Sequence, residues 1–138
     1  MAGFTTAMPT SFKVEILKAV HNFTASTGNT FKIALGKATA SVTGTYGAAT
    51  TSYTDLTGNS DELTNGNGYT TGGNTLTSVT PVADGTTAVC DFDNTTWSAA
   101  TFTTSGAIIY NDTAAGDPAC AVLSFGGDQQ VSSGDFQI

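Results

Sequence analysis

Threonine is the most abundant residue in this chain and fills 27 of its 138 positions. Its β-branched side chain is stiff at χ1 and fits an extended strand better than a helix. The 16 glycines, together with frequent Asn and Asp, supply the turns that short strands need. Hydrophobic residues make up 39% and charged residues 11%, which argues against intrinsic disorder. The composition predicts a single all-β domain over residues 1–138 and excludes a coiled coil, a helical bundle and a collagen-like repeat.

Apolar residues alternate with polar or small ones along several segments, as they do in strands that bury one face. TFKIALGK sets Phe31, Ile33 and Leu35 against smaller or charged residues and predicts a half-buried strand. Two antiparallel hairpins are predicted further along: one turns at Asp84–Gly85, and the other joins GAIIYN to ACAVLSFGG through AAGDP. Roughly seven or eight strands, with turns about every 8–12 residues, predict a β-sandwich of jelly-roll-like type, with a barrel as the alternative.

Residues 38–75 are weakly hydrophobic and rich in Thr, Gly and Asn. They predict long surface loops around short strands near 42–46 and 53–56. The run NGNGYTTGGN holds two consecutive turn dipeptides, Asn65–Gly66 and Asn67–Gly68. Exposed irregular loops are common binding surfaces, so residues 57–75 are a possible contact region.

The first 23 residues differ from the rest of the chain. Residues 1–9 are polar and irregular apart from Phe4, and they predict a flexible arm. Residues 10–23 predict the one helix of the chain, capped by Thr10 or Ser11. Helical spacing places these apolar side chains on one face: Phe12, Ile16, Ala19, Val20 and Phe23. The pattern favours an amphipathic helix laid on the sheet, with a partner-binding helix as the alternative.

Positive charge is confined to the start of the chain. All four basic residues are lysines within the first 37 positions, which carry about +3, and the remainder carries ten acidic residues and no basic one. Phosphate backbones are bound by Lys and Arg clusters, so the acidic body argues against nucleic acid as a direct partner. No run of 18 apolar residues is present, so no membrane span is predicted. The N-terminal end is where docking by complementary charge is expected.

Residues able to carry chemistry are few. His21 is the only histidine, and no nucleophile or orienting carboxylate lies near it in sequence. A solvated position at the helix end is therefore favoured for it. Asp91, Asp93 and Thr95 alternate like the start of a calcium loop, but the glycine and the closing acidic residue of such a loop are missing. The sequence predicts a protein that is not an enzyme and has no metal site and no cofactor.

Several segments occur in an order that is specific as a set: FKVEILKAVHNF, TFKIAL, GYTTGGNTL, DFDNTTW, GAIIYN and FGGD. Across residues 10–138 this order resembles a group of small virion proteins of tailed double-stranded DNA phages. Members of the group resemble capsid decoration or cement proteins, which bind the outside of the head shell and reinforce it. Two features depart from the group. Related sequences often carry Arg where this chain has Thr103–Thr104–Ser105, and they often continue beyond the position of Ile138.

The resemblance implies a structural protein that bridges neighbouring capsid subunits on the outer surface of the head. Its implied partners are the major capsid protein and further copies of itself, as a dimer or trimer, and no cofactor is implied. Assembly in the bacterial cytoplasm implies that Cys90 and Cys120 are reduced, and their apolar strand segments predict that both are buried. The alternative is a tail- or fibre-associated module whose loops at 57–75 contact a host receptor. An enzyme such as a glycan hydrolase comes third.

The predicted contact with the capsid lies within residues 2–23. This region holds half of the positive side chains, Lys13 and Lys18, and the aromatic residues Phe4 and Phe12. Aromatic anchors usually carry a large share of the binding energy of an interface. Phe4, Phe12, Lys13 and Lys18 are therefore the candidate contact residues, and no catalytic, metal-binding or cofactor-binding residue is predicted.

Overall fold

The computed structural model describes all 138 residues, and the molecule is mostly β, with 49% of its residues in strands and 12% in helices. The strands are β1 Gly3–Phe4, β2 Phe31–Leu35, β3 Thr45–Tyr46, β4 Asn74–Leu76, β5 Ser78–Asp84, β6 Thr87–Phe92, β7 Thr96–Asn111 and β8 Ala119–Gln137. The helices are α1 Thr10–Leu17 and α2 Tyr53–Gly58, with a 3₁₀ turn at Thr39–Ser41. The β character predicted from the composition is confirmed, although two short helices accompany the strands.

A four-stranded antiparallel sheet, in the order β4-β2-β7-β8, forms the centre of the fold. A parallel pair, β1-β3, and a separate antiparallel hairpin, β5-β6, complete the β structure. The sheets do not close into a barrel, and they form no clear jelly-roll sandwich. The sequence therefore predicted the β class correctly, whereas the jelly-roll-like arrangement is not seen in the chain by itself.

Both faces of the central sheet are covered. Phe31, Ile33 and Leu35 of β2 lie on one face, whereas Ala34 lies on the other and is equally inaccessible to solvent. The first face also gathers Phe12, Tyr69, Leu76, Trp97, Ala100, Ala107 and Cys120. The second face gathers Val42, Tyr46, Leu56, Ile108, Tyr110, Ala119 and Val122. The prediction of a half-buried β2 is therefore corrected, because β1, β3 and α2 cover the face that was expected to meet solvent.

β7 and β8 form one long antiparallel hairpin, and their closed end is the hairpin predicted from GAIIYN and ACAVLSFGG. The segment around Trp97, which was predicted as a separate strand or bend, continues directly into β7. The register shifts at four places along the pair, and Ala99 and Ser133 take positive φ angles of 51° and 49°. Such bulges bend a strand pair and increase its twist. The bending brings Trp97 back onto the first face of the central sheet, where it is 2% exposed.

Helix α1 is shorter than predicted, since it ends at Leu17 instead of Phe23. Ala19 takes a left-handed conformation with φ of 57°, and the N–H groups of the two residues after the C-cap bond back to carbonyls of the last turn. This arrangement is a Schellman-type helix end. The apolar spacing that continued to Phe23 therefore belongs to a loop, in which Phe23 packs on the first face of the sheet.

The N-terminal segment is packed against the body, which corrects the prediction of a flexible arm. β1 pairs with β3, and Ala7 exchanges two backbone hydrogen bonds with β8. The ring of Phe4 stacks on Tyr46 with centroids 4.8 Å apart. It also lies over Gly36 and Gly106, where an added Cβ would collide with it. Phe4 thus fixes the segment in place.

The segment near 53–56, predicted as a strand, is helix α2. The carboxylate of Asp55 accepts hydrogen bonds from the backbone N–H groups of Thr51, at 2.7 Å, and Ser52, at 3.4 Å. A carboxylate in the first turn satisfies free N–H groups and favours helix initiation. Leu56, on the inner side of α2, is completely buried. Local capping and this one apolar contact outweigh the strand preference of the surrounding threonines.

Candidate functional site

Two of the four candidate contact residues help to form the core. Phe12 is 6% exposed in the cluster on the first face, and Phe4 is half-buried against Tyr46. Phe12 therefore has little surface left for a partner, whereas Phe4 keeps part of its surface accessible. Lys13 and Lys18 are exposed. In the single chain the two aromatic rings hold the N-terminal segment to the body and both lysines are exposed, and contact of the four residues with a capsid stays a prediction.

Helix α1 exposes apolar side chains around these lysines. Val14 and Ile16 are each 47% exposed, and Leu17 is 89% exposed. Positions three and four apart on a helix are neighbours, so Leu17 lies beside Lys13 and Val14. We call Lys13, Val14, Ile16, Leu17 and Lys18 the helix surface. At about 100° per residue, these side chains spread over roughly half of the helix circumference, with Val14 and Ile16 on either side of Leu17 and a lysine toward each end of the segment.

The helix surface carries free positive charge. Lys32 pairs with Asp112 at 3.1 Å, and Lys37 donates a hydrogen bond of 2.6 Å to a backbone carbonyl. Lys13 and Lys18 have no such partner within the chain. The one carboxylate of α1 turns inward to a buried histidine. The unpaired cations of this acidic protein are therefore concentrated on one short helix.

The β5–β6 hairpin carries a second surface. Its register places Val82 opposite Val89 and Val79 opposite Asp91, and residues directly opposite each other share a face. Asp84 falls on the same face, because it lies two residues beyond Val82 along the strand. We call Val79, Val82, Asp84, Val89 and Asp91 the hairpin surface. It is an aliphatic patch with a carboxylate toward each end.

The hairpin projects from the body. Every residue from 79 to 91 is exposed, and the three valines of the hairpin surface are 40%, 60% and 38% exposed in chain order. Only the base is anchored, where Phe92 packs against Phe23 and Phe31 with ring centroids 6.2 and 5.7 Å away. The ribbon therefore lacks a covering layer on either face.

All of the large apolar side chains that the molecule exposes belong to two regions. Those of the N-terminal segment are Met1, Met8, Val14, Ile16 and Leu17, and those of the hairpin are Val79, Val82 and Val89. Clustered apolar exposure, unlike scattered exposure, is typical of an interaction surface. Lysines flank the first region and aspartates flank the second, so the two are complementary in charge. The sequence predicted the hairpin but not its exposed valine face, because alternation does not reveal what covers a strand.

The two cysteines differ in exposure. Cys120 is buried, as predicted, but Cys90 lies on the exposed hairpin, which corrects the prediction that both are buried. Partial burial and the charge of Asp91 raise the pKa of Cys90, and burial raises the pKa of Cys120. Both groups are therefore thiols at neutral pH, and a thiol is a weak nucleophile. Their reduced state in an assembled particle stays a prediction.

A buried polar cluster surrounds His21, whose side chain is fully inaccessible and not at a solvated helix end. Its Nε2 lies 2.9 Å from Oε2 of Glu15, and its Nδ1 lies 3.1 Å from Nδ2 of Asn111. Because Oδ1 of Asn111 accepts two backbone N–H groups, the amide N–H₂ must face His21. Nδ1 is thus an acceptor, and Nε2–H donates to Glu15.

Cys120 completes this cluster, with its Sγ 3.7 Å from Nδ1 of His21. Cys120, His21 and Glu15 are arranged like the nucleophile, the base and the orienting carboxylate of a catalytic triad. The environment opposes that use, because Cys120 is 5% exposed and burial, followed by the charge of Glu15, raises its pKa. The cluster instead ties α1 to β7 and β8. Sequence reasoning missed it because Asn111 and Cys120 lie 90 and 99 residues from His21.

Two carboxylates after α2 are also bound inside the molecule. Asp61 is fully buried and accepts hydrogen bonds from the N–H of Gly44 and the hydroxyl of Tyr46, both at 2.7 Å. Burial by itself would raise the pKa of Asp61, but hydrogen bonds from Tyr46, Gly44 and Thr43 outweigh burial and lower it. Asp61 therefore links the loop after α2 to β3.

Glu62 forms a second link of this kind. It accepts hydrogen bonds from the hydroxyl groups of Tyr53, at 2.6 Å, and Tyr69, at 2.8 Å. Burial, with the adjacent carboxylate, raises the pKa of both tyrosines. The region 57–75, predicted as a possible receptor contact, is therefore held to the body by its own carboxylates.

Both surfaces are made of exposed aliphatic and charged side chains. No group of three or more His, Cys, Asp or Glu side chains is arranged to hold a metal ion, Asp91 and Asp93 included. No helix is long and apolar enough to cross a bilayer. No protein-family model, curated protein or solved structure matches this chain.

Proposed function

We propose that this chain is a cement or decoration protein of a phage head, which binds the outside of the shell and reinforces it by bridging neighbouring subunits. The observation that carries the proposal is the pair of exposed apolar surfaces with opposite charge. A bridge needs at least two docking surfaces, and the helix surface and the hairpin surface provide them. The order of motifs across residues 10–138 supports the same function.

The proposed mechanism is adhesion. A specific interface buries roughly 1,200–2,000 Å² in total. Repeating a contact over many linked sites increases the overall affinity beyond that of one contact. A ligand that binds the assembled shell better than its free subunits stabilises the shell, by about 1.4 kcal/mol for each tenfold excess over its dissociation constant. The summed contribution over many copies is what would resist internal pressure.

The partners in this proposal are the major capsid protein and further copies of the chain. The predicted contact residues Phe4, Phe12, Lys13 and Lys18 stay part of the proposal, and of these Lys13 and Lys18 are exposed in the single chain. The covered sheet and its buried polar links hold helix α1, and the central sheet anchors the base of the hairpin. The jelly-roll-like sandwich predicted from the strand spacing stays part of the proposal, but bridging requires only the two surfaces.

Purified particles test the proposal. The chain is expected in many copies on the outer surface of the head, and heads without it are expected to release DNA at a lower temperature and after a milder osmotic shock. Heads that open at the same temperature and shock with and without the chain would contradict a reinforcing role.

A charge-matched pair of variants tests the contact. Lys13→Gln with Lys18→Gln removes two positive charges from the helix surface and should weaken shell binding. The control, Gln129→Glu with Gln130→Glu, changes the net charge equally at exposed positions of β8 and should bind as the unmodified chain does. Equal weakening by both pairs would show that net charge acts through long-range repulsion, and not through contact at α1.

A tail- or fibre-associated binding module is the second candidate. The observation that favours it is the projecting hairpin, which exposes both faces as receptor-binding elements often do. Copy number separates the two functions, because a tail module would be present in far fewer copies and would lie away from the head.

A further inference from the structure

We propose that the helix surface of one copy docks on the hairpin surface of a second copy, in a head-to-tail contact. This inference rests on the proposed function, in which copies of the chain lie side by side on a shell. It adds that a second copy binds the helix surface. It concerns two surfaces that both belong to this chain, so it can be tested without a shell.

The two surfaces match in apolar character. Each presents three aliphatic side chains: Val14, Ile16 and Leu17 on the helix surface, and Val79, Val82 and Val89 on the hairpin surface. Their exposures range from 38% to 89%. Since all six are open to solvent in the single chain, the two surfaces do not cover each other within one molecule. Burial of either must come from a second molecule.

The two surfaces also match in charge. Lys13 and Lys18 flank the aliphatic patch of α1 and have no partner in the chain. Asp84 and Asp91 stand toward the two ends of the hairpin surface, and neither forms an ion pair. Opposite charges at the rim of an interface steer association and fix its register. A hairpin meeting another hairpin, or a helix another helix, would instead bring like charges together.

The hairpin would be stabilised by a partner that covers one of its faces. A two-stranded ribbon is marginally stable in water, because neither face of the ribbon is buried. β5 and β6 are anchored at their base by Phe92 and by a 3.0 Å hydrogen bond from the N–H of Ala25 to Oγ1 of Thr80. A helix laid on the valine face would supply the missing layer, as helices do on larger sheets.

The contact is heterologous, because it joins different surfaces on the two copies. Unless it closes on itself, the pair keeps two surfaces free: the hairpin surface of the copy whose helix surface is bound, and the helix surface of the other copy. Heterologous contacts close into rings when the rotation allows and otherwise extend into chains. An open chain of copies keeps a free helix surface and a free hairpin surface at its two ends for the shell, whereas a closed ring would contact the shell through other residues.

Two single substitutions and their mixture test the inference by sedimentation in solution. Leu17→Asp places a carboxylate in the helix surface, and Val82→Asp places one in the hairpin surface. Because each substitution replaces an exposed side chain, circular dichroism should show an intact fold. The unmodified chain should associate as its concentration rises, and each variant alone should associate at least tenfold more weakly. Gln129→Asp, at an exposed position of β8, is the control and should associate normally.

The mixture gives the decisive result. The Leu17→Asp chain keeps an intact hairpin surface, and the Val82→Asp chain keeps an intact helix surface, so together they should form a one-to-one dimer of twice 14.0 kDa and nothing larger. The inference is overturned if the unmodified chain stays monomeric up to about 1 mM, if either variant associates normally, or if the mixture fails to pair. A monomeric chain that still binds heads would overturn this inference and leave the proposed function standing.

Discussion

Strand β2 and the hairpin β5–β6 are built from similar alternating sequences, yet they lie in opposite environments. Phe31 and Leu35 of β2 are both 0% exposed, whereas Val82 of the hairpin is 60% exposed. β2 lies between β4 and β7 with a packed layer over each face, and the hairpin has no neighbour beyond its base. The difference indicates that the central sheet holds the fold together and that the hairpin is available to a partner.

The largest expected effect contrasts two leucines. Leu35→Ala in the central sheet should lower the free energy of unfolding by about 3–5 kcal/mol, because it leaves a cavity in a packed core. Leu17→Ala on the helix surface should change the free energy of unfolding by less than about 0.5 kcal/mol, since that side chain is 89% exposed. Urea unfolding of dilute protein measures both values. Similar losses for the two variants would mean that the helix surface is part of the core.

Asp61 tests the polar links of the covered region. Asp61→Asn should lower the free energy of unfolding by roughly 2 kcal/mol. Asn has one acceptor oxygen, so its N–H₂ group must face either the donors of Gly44 and Tyr46 or those of Thr43. The pKa of Asp61 is lowered in the folded state, so its stabilising contribution is present above the ordinary value of 3.8 and is lost as the pH falls through the folded-state pKa. Chemical unfolding between about pH 2 and 7 should therefore show a steeper acid loss for the unmodified chain than for the variant. Identical pH profiles would contradict the role given to Asp61.

Phe4 tests whether the N-terminal segment belongs to the covered region. Gly36→Ala should destabilise the fold by about 1–2 kcal/mol, because the three atoms nearest to the added Cβ all belong to the ring of Phe4. Phe4→Leu in the same chain should recover part of that loss, and thermal unfolding of the single and double variants measures the coupling. Strictly additive losses would indicate that Phe4 is not held over Gly36.

The smallest expected effect lies at the end of α1. Ala19 has a φ of 57°, which glycine adopts more easily than alanine. Ala19→Gly should therefore stabilise the chain by about 0.5–1 kcal/mol. Ala49→Gly, at an exposed loop position without a positive φ, is the control and should give no gain in the free energy of unfolding. Destabilisation by Ala19→Gly would argue against the helix end described here.

Local patterns predicted much of the fold. The alternation of apolar and polar residues located β2 and both hairpins, because the period of two in a strand involves only neighbouring residues. The same local signals misjudged two helices. The end of α1 was predicted too late, because the helical spacing of apolar residues continues past Leu17 and does not show that Ala19 is left-handed. Helix α2 was predicted as a strand because its sequence is rich in threonine, whereas its start depends on the Asp55 carboxylate.

Contacts distant in sequence explain what could not be predicted. The arrangement around His21 depends on Asn111 and Cys120, and no short-range pattern links residues 90 or more positions apart. The exposure of Cys90 depends on the lack of a layer over the hairpin, which alternation does not report. The packing of Phe4 and Phe12 was missed for the same reason, because it arises from the tertiary fold.

Amide hydrogen exchange tests most directly the claim that the hairpin is uncovered in the single chain and covered in the assembly. Exchange should be compared between dilute protein and protein bound to heads. Amides of β2 should exchange slowly in both states, whereas those of residues 79–91 should exchange fast in the free chain and at least tenfold more slowly when bound. Hairpin amides that exchange equally fast in both states would contradict the account.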